Sequence, residues 1–146
     1  MIMKTSKRKI SIILKFCLIG IWCGGLSYAL YINPSVTVTQ SKLREMQQQA
    51  SILLQNGGQV VYRDDLAKYG VASLLRGISF VSLSDAAYTK DIDGLVANGW
   101  ASKGNGAYCK DGVLLRFDRR PVSFQGGEVI KLDMDYSARS IHYCGI

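Results

Sequence analysis

Five basic residues, Lys4, Lys7, Arg8, Lys9 and Lys15, precede the uncharged apolar run Phe16 to Ile32, and no acidic residue lies among them. Such a stretch does not join a water-soluble core. It goes to a membrane and carries the rest of the chain to the far side. As a helix, Phe16 to Ile32 spans roughly 25 Å, a little under a hydrocarbon core of about 30 Å. Ile10 to Leu14 can extend it, with Lys15 reaching the headgroups along its aliphatic stem and Tyr28 and Tyr31 at the opposite interface. The basic flank predicts a cytoplasmic N-terminus. A cleaved signal peptide is the rival expectation, with small residues Ser27 and Ala29 before a cut after Ala29. A lipoprotein is excluded, because Trp22 precedes Cys23 where a small residue is needed. Cys17 and Cys23 are read as small apolar members of the helix.

Locating the charge removes a misleading signal. The chain of 146 residues is formally +7 with eighteen Lys or Arg. From Asn33 onward, thirteen basic residues face eleven acidic ones, about +2, so the case for nucleic-acid binding falls away. The expected organisation is a basic cytoplasmic N-region over 1–15, a transmembrane helix or signal anchor over 16–32, a linker over 33–40 and one extracytoplasmic α+β domain over 41–146.

Two of the four cysteines, Cys109 and Cys144, lie beyond the apolar run. In an oxidising compartment they can pair in only one way within the chain, so a disulfide is expected. Closing a loop of about 35 residues corresponds to at most roughly 4 kcal/mol in the chain-entropy account. A metal or nucleophile site using His142 with Cys109 and Cys144 is the sharper alternative, but it needs reduced thiols.

The pattern reads as helix first and sheet afterwards. Asn33-Pro34 ends the first helix, and β-branched Ser35 to Thr39 predicts an extended connector. Ser41 offers an N-cap for a helix to about Gln55, stopped by Asn56-Gly57-Gly58, with Gln47 to Gln49 on its polar side. Val60 to Tyr62 predicts a short strand, Asp64 to Tyr69 a short helix and Ile78 to Leu83 a strand; Val71 to Arg76 fits either state. A helix starts at Ser84 or Thr89 and closes at Asn98-Gly99. Period-two alternation then takes over. Tyr108 to Lys110 and Val113 to Asp118 flank Asp111-Gly112, a dipeptide suited to a type I′ hairpin. Val122 to Phe124 turns at Gln125-Gly126-Gly127 into Glu128 to Tyr136, and Ile141 to Cys144 predicts a last strand. The expected fold is α+β: helices on one face of a C-terminal antiparallel meander closed by one disulfide, the other face wet.

No motif here commits the chain to catalysis. Asp133 and Asp135 share a strand face with Lys131, an arrangement that suits a solvated sheet better than an acid-base or metal pair. Asp91-Ile92-Asp93-Gly94 lacks the spacing of a calcium loop, and Gly77-Ile78-Ser79 lacks the second glycine of a nucleophile elbow. Gly104-Asn105-Gly106 lacks a phosphate-loop ending and predicts a flexible loop. Arg116, Arg119 and Arg120 beside Phe117 and Phe124 suggest anion binding or, more simply, local ion pairs. Trp100, Tyr108, Tyr136 and Tyr143 suggest sugar stacking or, more simply, core and rim packing. The expectation is a non-enzymatic interaction or structural module of the bacterial envelope, without catalytic residues, cofactor or metal. Its partners are the inner-membrane bilayer and an envelope protein. The alternative is a small periplasmic enzyme or metal-dependent binder using His142 with Cys109 and Cys144, or with Asp133 or Asp135.

An apolar N-terminal helix, a second helix and a disulfide-closed sheet also form the general plan of pilin-like subunits. That resemblance stops at architecture. Their leader-peptidase signature wants Gly before the Phe and Glu at position five, whereas here Lys15 precedes Phe16 and position five is Gly20.

Overall fold

The structure is a computed structural model describing residues 3–145. The side chains of Lys4, Lys7, Arg8 and Lys9, which carry the orientation expectation, lie outside the described residues, as do Met1, Ile2 and Ile146. The chain forms two units, Met1–Asn33 and Pro34–Ile146.

The first unit is helix α1, Met3–Ile32. It contains a stretch long and apolar enough to cross a membrane, and the stretch is not buried within the protein. Phe16, Ile21, Trp22 and Tyr31 are all exposed. At its end the Asn33 side-chain amide donates to Ala29 O at 2.8 Å, satisfying one of the carbonyls a helix terminus leaves open.

The second unit is α+β. Helix α2, Val36–Leu53, begins earlier than expected: Ser35, not Ser41, is its N-cap, accepting from Val38 N. The extended connector over Ser35 to Thr39 is therefore corrected to helix. Its β-branched residues have low helix propensity, but Thr39 returns its hydroxyl to Val36 O at 2.9 Å and is wholly buried. Packing and capping override the local preference.

Next come strands β1, Val60–Lys68, and β2, Val71–Ser79. The helix expected over Asp64 to Tyr69 is thus the second half of a strand. Its charged residues suit an edge position, where water satisfies outward groups and charge discourages pairing with another chain. The strand expected over Ile78 to Leu83 ends at Ser79 and gives way to a 3₁₀ turn, Phe80–Ser82. Ser82 closes that turn by donating to Ser79 O and accepting from Gln59 N, each at 2.7 Å. Helix α3, Asp85–Ala97, has the expected Ser84 N-cap and Asn98 C-cap.

Strand β3, Ala101–Gly104, had no sequence signal. It pairs with β4, Ala107–Lys110, so Gly104-Asn105-Gly106 is a tight turn rather than a flexible loop. Strand β5, Val113–Phe117, comes after the Asp111-Gly112 turn, whose φ angles of 47° and 78° are those of a type I′ hairpin. Strands β6, Val122–Phe124, and β7, Gly127–Ser137, form a further hairpin across Gln125-Gly126. The expected terminal strand Ile141 to Cys144 is instead helix α4, Ala138–Cys144. A reciprocal capping box between Ser137 and Ser140 starts it, and left-handed Gly145 ends it.

The described strands form one antiparallel seven-stranded sheet, ordered β1-β2-β7-β5-β4-β3, with β6 also on β7. Directly opposed residues in an antiparallel sheet share a face, so the register sorts the side chains. Leu74 and Leu115 both oppose Met134, and Phe117 opposes Leu132. These residues, with Ile78 and Ile130, are wholly buried in one core that includes Met46, Ala50 and Leu53 of α2 and Leu95 of α3. Cys109 and Cys144 form a disulfide with a Cα–Cα distance of 5.5 Å. It joins β4 to α4, not the first strand of a meander to the last.

The open sheet face as candidate functional site

The face of the sheet opposite α2 carries the even-numbered residues of β5 and the odd-numbered residues of β2 and β7. Arg116 opposes Asp133, Leu114 opposes Asp135, and on the other flank Leu75 and Ser73 oppose the same two aspartates. The Cys109–Cys144 bond and the packing of α4 on β5 and β7 raise a shoulder at one end of this face. Between shoulder and strands lies an open cleft of about 630 Å³ bordered by Ser73, Arg116, Asp133, Asp135, Arg139, His142 and Tyr143. Beyond Arg116 and Asp133 a second recess, about 420 Å³, continues past Arg120 and Lys131. A smaller groove of about 180 Å³ lies over Val129 beside Tyr62 and Phe124, whose rings are 5.2 Å apart.

The local chemistry stems from the strand pleat. Asp133, Asp135 and Lys131 project to one side because side chains alternate, as the sequence predicts. Asp133 meets Arg116 at 3.5 Å. Burial pushes the Asp133 carboxyl above its ordinary value; Arg116 lowers it and Asp135 raises it further. Asp135 accepts from Ser137 Oγ at 2.8 Å, and that hydroxyl also caps α4. Gly77, a residue of the supposed elbow, instead makes room for Tyr62: a Cβ there would stand 3.1 Å from Tyr62 Cβ.

The structure therefore gathers His142, Asp133, Asp135, Arg116 and Tyr143 around one cleft, and it separates the remaining candidates. With both sulfurs of Cys109 and Cys144 in the disulfide, neither is a thiolate for a metal or an attack. Among the described residues no group of three His, Cys, Asp or Glu side chains is placed to hold a metal ion. Arg119 is structural: it pairs with Asp85, donates to Leu83 O at 2.8 Å and lies 5.1 Å over the Phe80 ring. Arg120 pairs with Asp118 beside it. Phe117 and Trp100 are core residues, and buried Tyr108 opposes Leu115. Tyr136 packs partly buried against the same core and receives Lys42 at 5.6 Å from its ring.

Two features had no place in the expectations. One is Arg76, buried on the helix-covered face and held by both oxygens of Asp65, at 2.5 and 3.0 Å, with Gln47 of α2 adding a bond at 2.9 Å. Only the alternation of β2 hinted at it, by placing an arginine among inward-facing apolar residues. The other is the burial of Asp91, which lies in helix α3, in keeping with the rejection of a calcium loop, but is only 2% exposed.

Compared with family models, with curated proteins and with solved structures, the chain finds no match.

Proposed function

We propose that this chain is a membrane-anchored, extracytoplasmic, non-enzymatic interaction or structural module of the bacterial cell envelope. In this reading α1 sits in the inner membrane with the N-terminus in the cytoplasm, and the α+β unit lies in the periplasm. The single observation that carries it is a disulfide-tied domain, following an apolar helix, whose central sheet is covered on one face and open on the other. Antiparallel sheets tolerate one wet face, but this one combines clefts, a tilted aromatic pair and charges of both signs, the mix that favours specific protein contact over bulk hydrophobic association. The partner is an envelope protein that meets this face.

A photo-crosslinking amino acid placed at Ser73 or Lys131 in living cells tests the reading. A discrete adduct from these positions, and none from Arg44 on α2, is the expected outcome. Adducts from Arg44 alone, or from no position, would sink it. His142, which borders the same cleft as Asp133 and Asp135, supports a small periplasmic enzyme or metal-dependent binding protein as the second reading; a phenotype abolished by His142→Ala with the adduct intact would favour that instead.

A further inference from the structure

The smallest groove of the open face owes its shape to Gly77. Tyr62 on β1 stands opposite that glycine on β2, and Phe124 lies on β6, beyond β7. With β2 and β7 in between, the two aromatic residues start roughly 14 Å apart at ordinary strand spacing. Their rings nevertheless meet, with centroids 5.2 Å apart and planes tilted by 56°. Both side chains therefore lean inward over the strands between them, and Gly77 permits this because any Cβ there would stand 3.1 Å from Tyr62 Cβ. The result is a recess of about 180 Å³ bordered by Tyr62, Leu75, Gly77, Phe124, Val129 and Lys131. Tyr62, Leu75 and Phe124 are each half-buried and Lys131 is exposed, so an incoming group can reach all four.

Size and charge narrow the occupant. The recess falls below the roughly 300 Å³ at which pockets for whole small molecules begin, so it suits one inserted side chain. Its tilted rings form a V rather than the flat platform on which a sugar stacks, and a branched or aromatic side chain fills a V by edge contacts. Of the bordering residues only Lys131 is charged, and it also borders the neighbouring recess, where Arg116 pairs with Asp133 and Arg120 with Asp118. Both arginines are thus answered. The Lys131 side chain makes no ion pair or hydrogen bond among the described residues and acts only at longer range, on Asp133. Asp64, opposite Leu75 on β1, carries the other sign on the far flank. Those charges direct an acidic group toward Lys131 and away from β1. We propose, resting on the open-face reading above, that the envelope partner docks by placing one large apolar side chain in the groove of Tyr62, Leu75 and Phe124, next to an acidic residue that pairs with Lys131. An apolar anchor in a small recess with a polar rim is the form in which a few residues carry most of an interface's binding energy.

The experiment follows the backbone amides of Gly77 and Lys131 by nuclear magnetic resonance in the isotope-labelled full chain, held in phosphatidylcholine nanodiscs. Three polar hexapeptides are titrated: an acetylated Gly-Ser-Phe-Asp-Ser-Gly amide, its analogue with alanine for phenylalanine, and its analogue with lysine for aspartate. Saturable shifts at both amides are expected with the first peptide on the order of millimolar, as suits one anchored side chain, and none with the alanine analogue. The lysine analogue should bind roughly three- to tenfold more weakly, and Lys131→Glu should reverse that preference. Phe124→Ala should abolish the shifts; if that variant misfolds, the change at exposed Lys131 keeps the test decisive. Equal shifts with the alanine analogue, no shifts with any peptide, shifts unchanged in folded Phe124→Ala, or a preference unmoved by Lys131→Glu would overturn the proposal. Shifts produced only by exchanging the lipid for anionic phosphatidylglycerol would also overturn it and assign the groove to a membrane surface. The photo-adduct at Ser73 separates this failure from that of the reading beneath it. An adduct undiminished in Phe124→Ala and Lys131→Glu keeps the open face and overturns the anchor, whereas no Ser73 adduct in the parent chain overturns both.

Discussion

At the scale of single residues, the aspartates divide into two kinds with opposite consequences for pH. Asp65 is held below its ordinary value of 3.8, chiefly by the hydrogen bonds from Arg76. A depressed folded pKa means the stabilisation is complete above the unfolded value and drains away as pH falls through the folded one. Arg76→Met should therefore cost about 2 kcal/mol at neutral pH, below the figure for a fully buried pair because Asp65 keeps 29% of its side-chain exposure. Below pH 3.8 the difference from the parent should shrink. Urea melts across that range check both statements. Asp133 behaves in reverse, because its folded pKa is raised, first by burial. The folded state binds that proton more tightly, so the contribution is present below 3.8 and is lost as pH rises through the folded pKa. Asp133→Asn should accordingly raise the melting temperature at neutral pH and lose that advantage in acid, while disturbing whatever the open face contacts. The sequence placed Asp133 on a wet face correctly. It could not show the raised pKa, because that arises from burial between the neighbouring strands β2 and β5, with Asp135 adding to it and Arg116 only partly offsetting it.

Among the elements, α4 most plainly depends on its tertiary surroundings. Four residues, Ile141 to Cys144, alternate well enough for a strand, and short apolar runs carry no decisive period. The capping box, the left-handed Gly145 and the disulfide settle the matter as a helix of seven residues. Reducing the disulfide, or Cys109→Ser with Cys144→Ser, should lower stability by up to roughly 4 kcal/mol, since the bond spans 35 residues; denaturant melts with and without reductant measure it. The Asp111-Gly112 turn beside it is equally constrained. Gly112→Ala should destabilise by about 1–3 kcal/mol, because φ is 78° and a Cβ would stand 3.0 Å from Ile141 Cγ1 and 3.1 Å from Tyr136. Gly94→Ala in the interior of α3 should do the opposite, adding up to about 1 kcal/mol, since the methyl meets no atom within 4 Å. The turns at Asp111-Gly112 and Gln125-Gly126 and the Ser84 cap were legible because their chemistry is local, whereas the Ser35 cap and the capping box of α4 were not. Strand β3 and the second half of β1 were not legible either, since an edge strand is defined by a neighbour, β4 or β2, that local propensity does not encode.

For the whole molecule, the anchored reading predicts that an alkaline phosphatase fused to the C-terminus is active and a cytoplasm-dependent fluorescent reporter is dark; the reverse pattern would remove the periplasmic assignment. A full-length species resisting carbonate extraction would distinguish a retained anchor from a cleaved signal. Composition and order alone determined the apolar N-terminal helix, the α+β class, the Cys109–Cys144 partnership and the hairpin over Asp111-Gly112. Each rests on interactions between residues close in sequence, or, for the cysteines, on there being one partner to choose. Tertiary structure alone decided that β7 lies at the centre with β2 and β5 on either side, and that Arg76 and Asp65 pair beneath α2. It also decided that the aspartates of one strand share a cleft with His142 of α4, and that Asp91 is buried. Those outcomes depend on strand register and helix docking, where burial of the shared core selects among pairings that local preference leaves nearly equal in free energy.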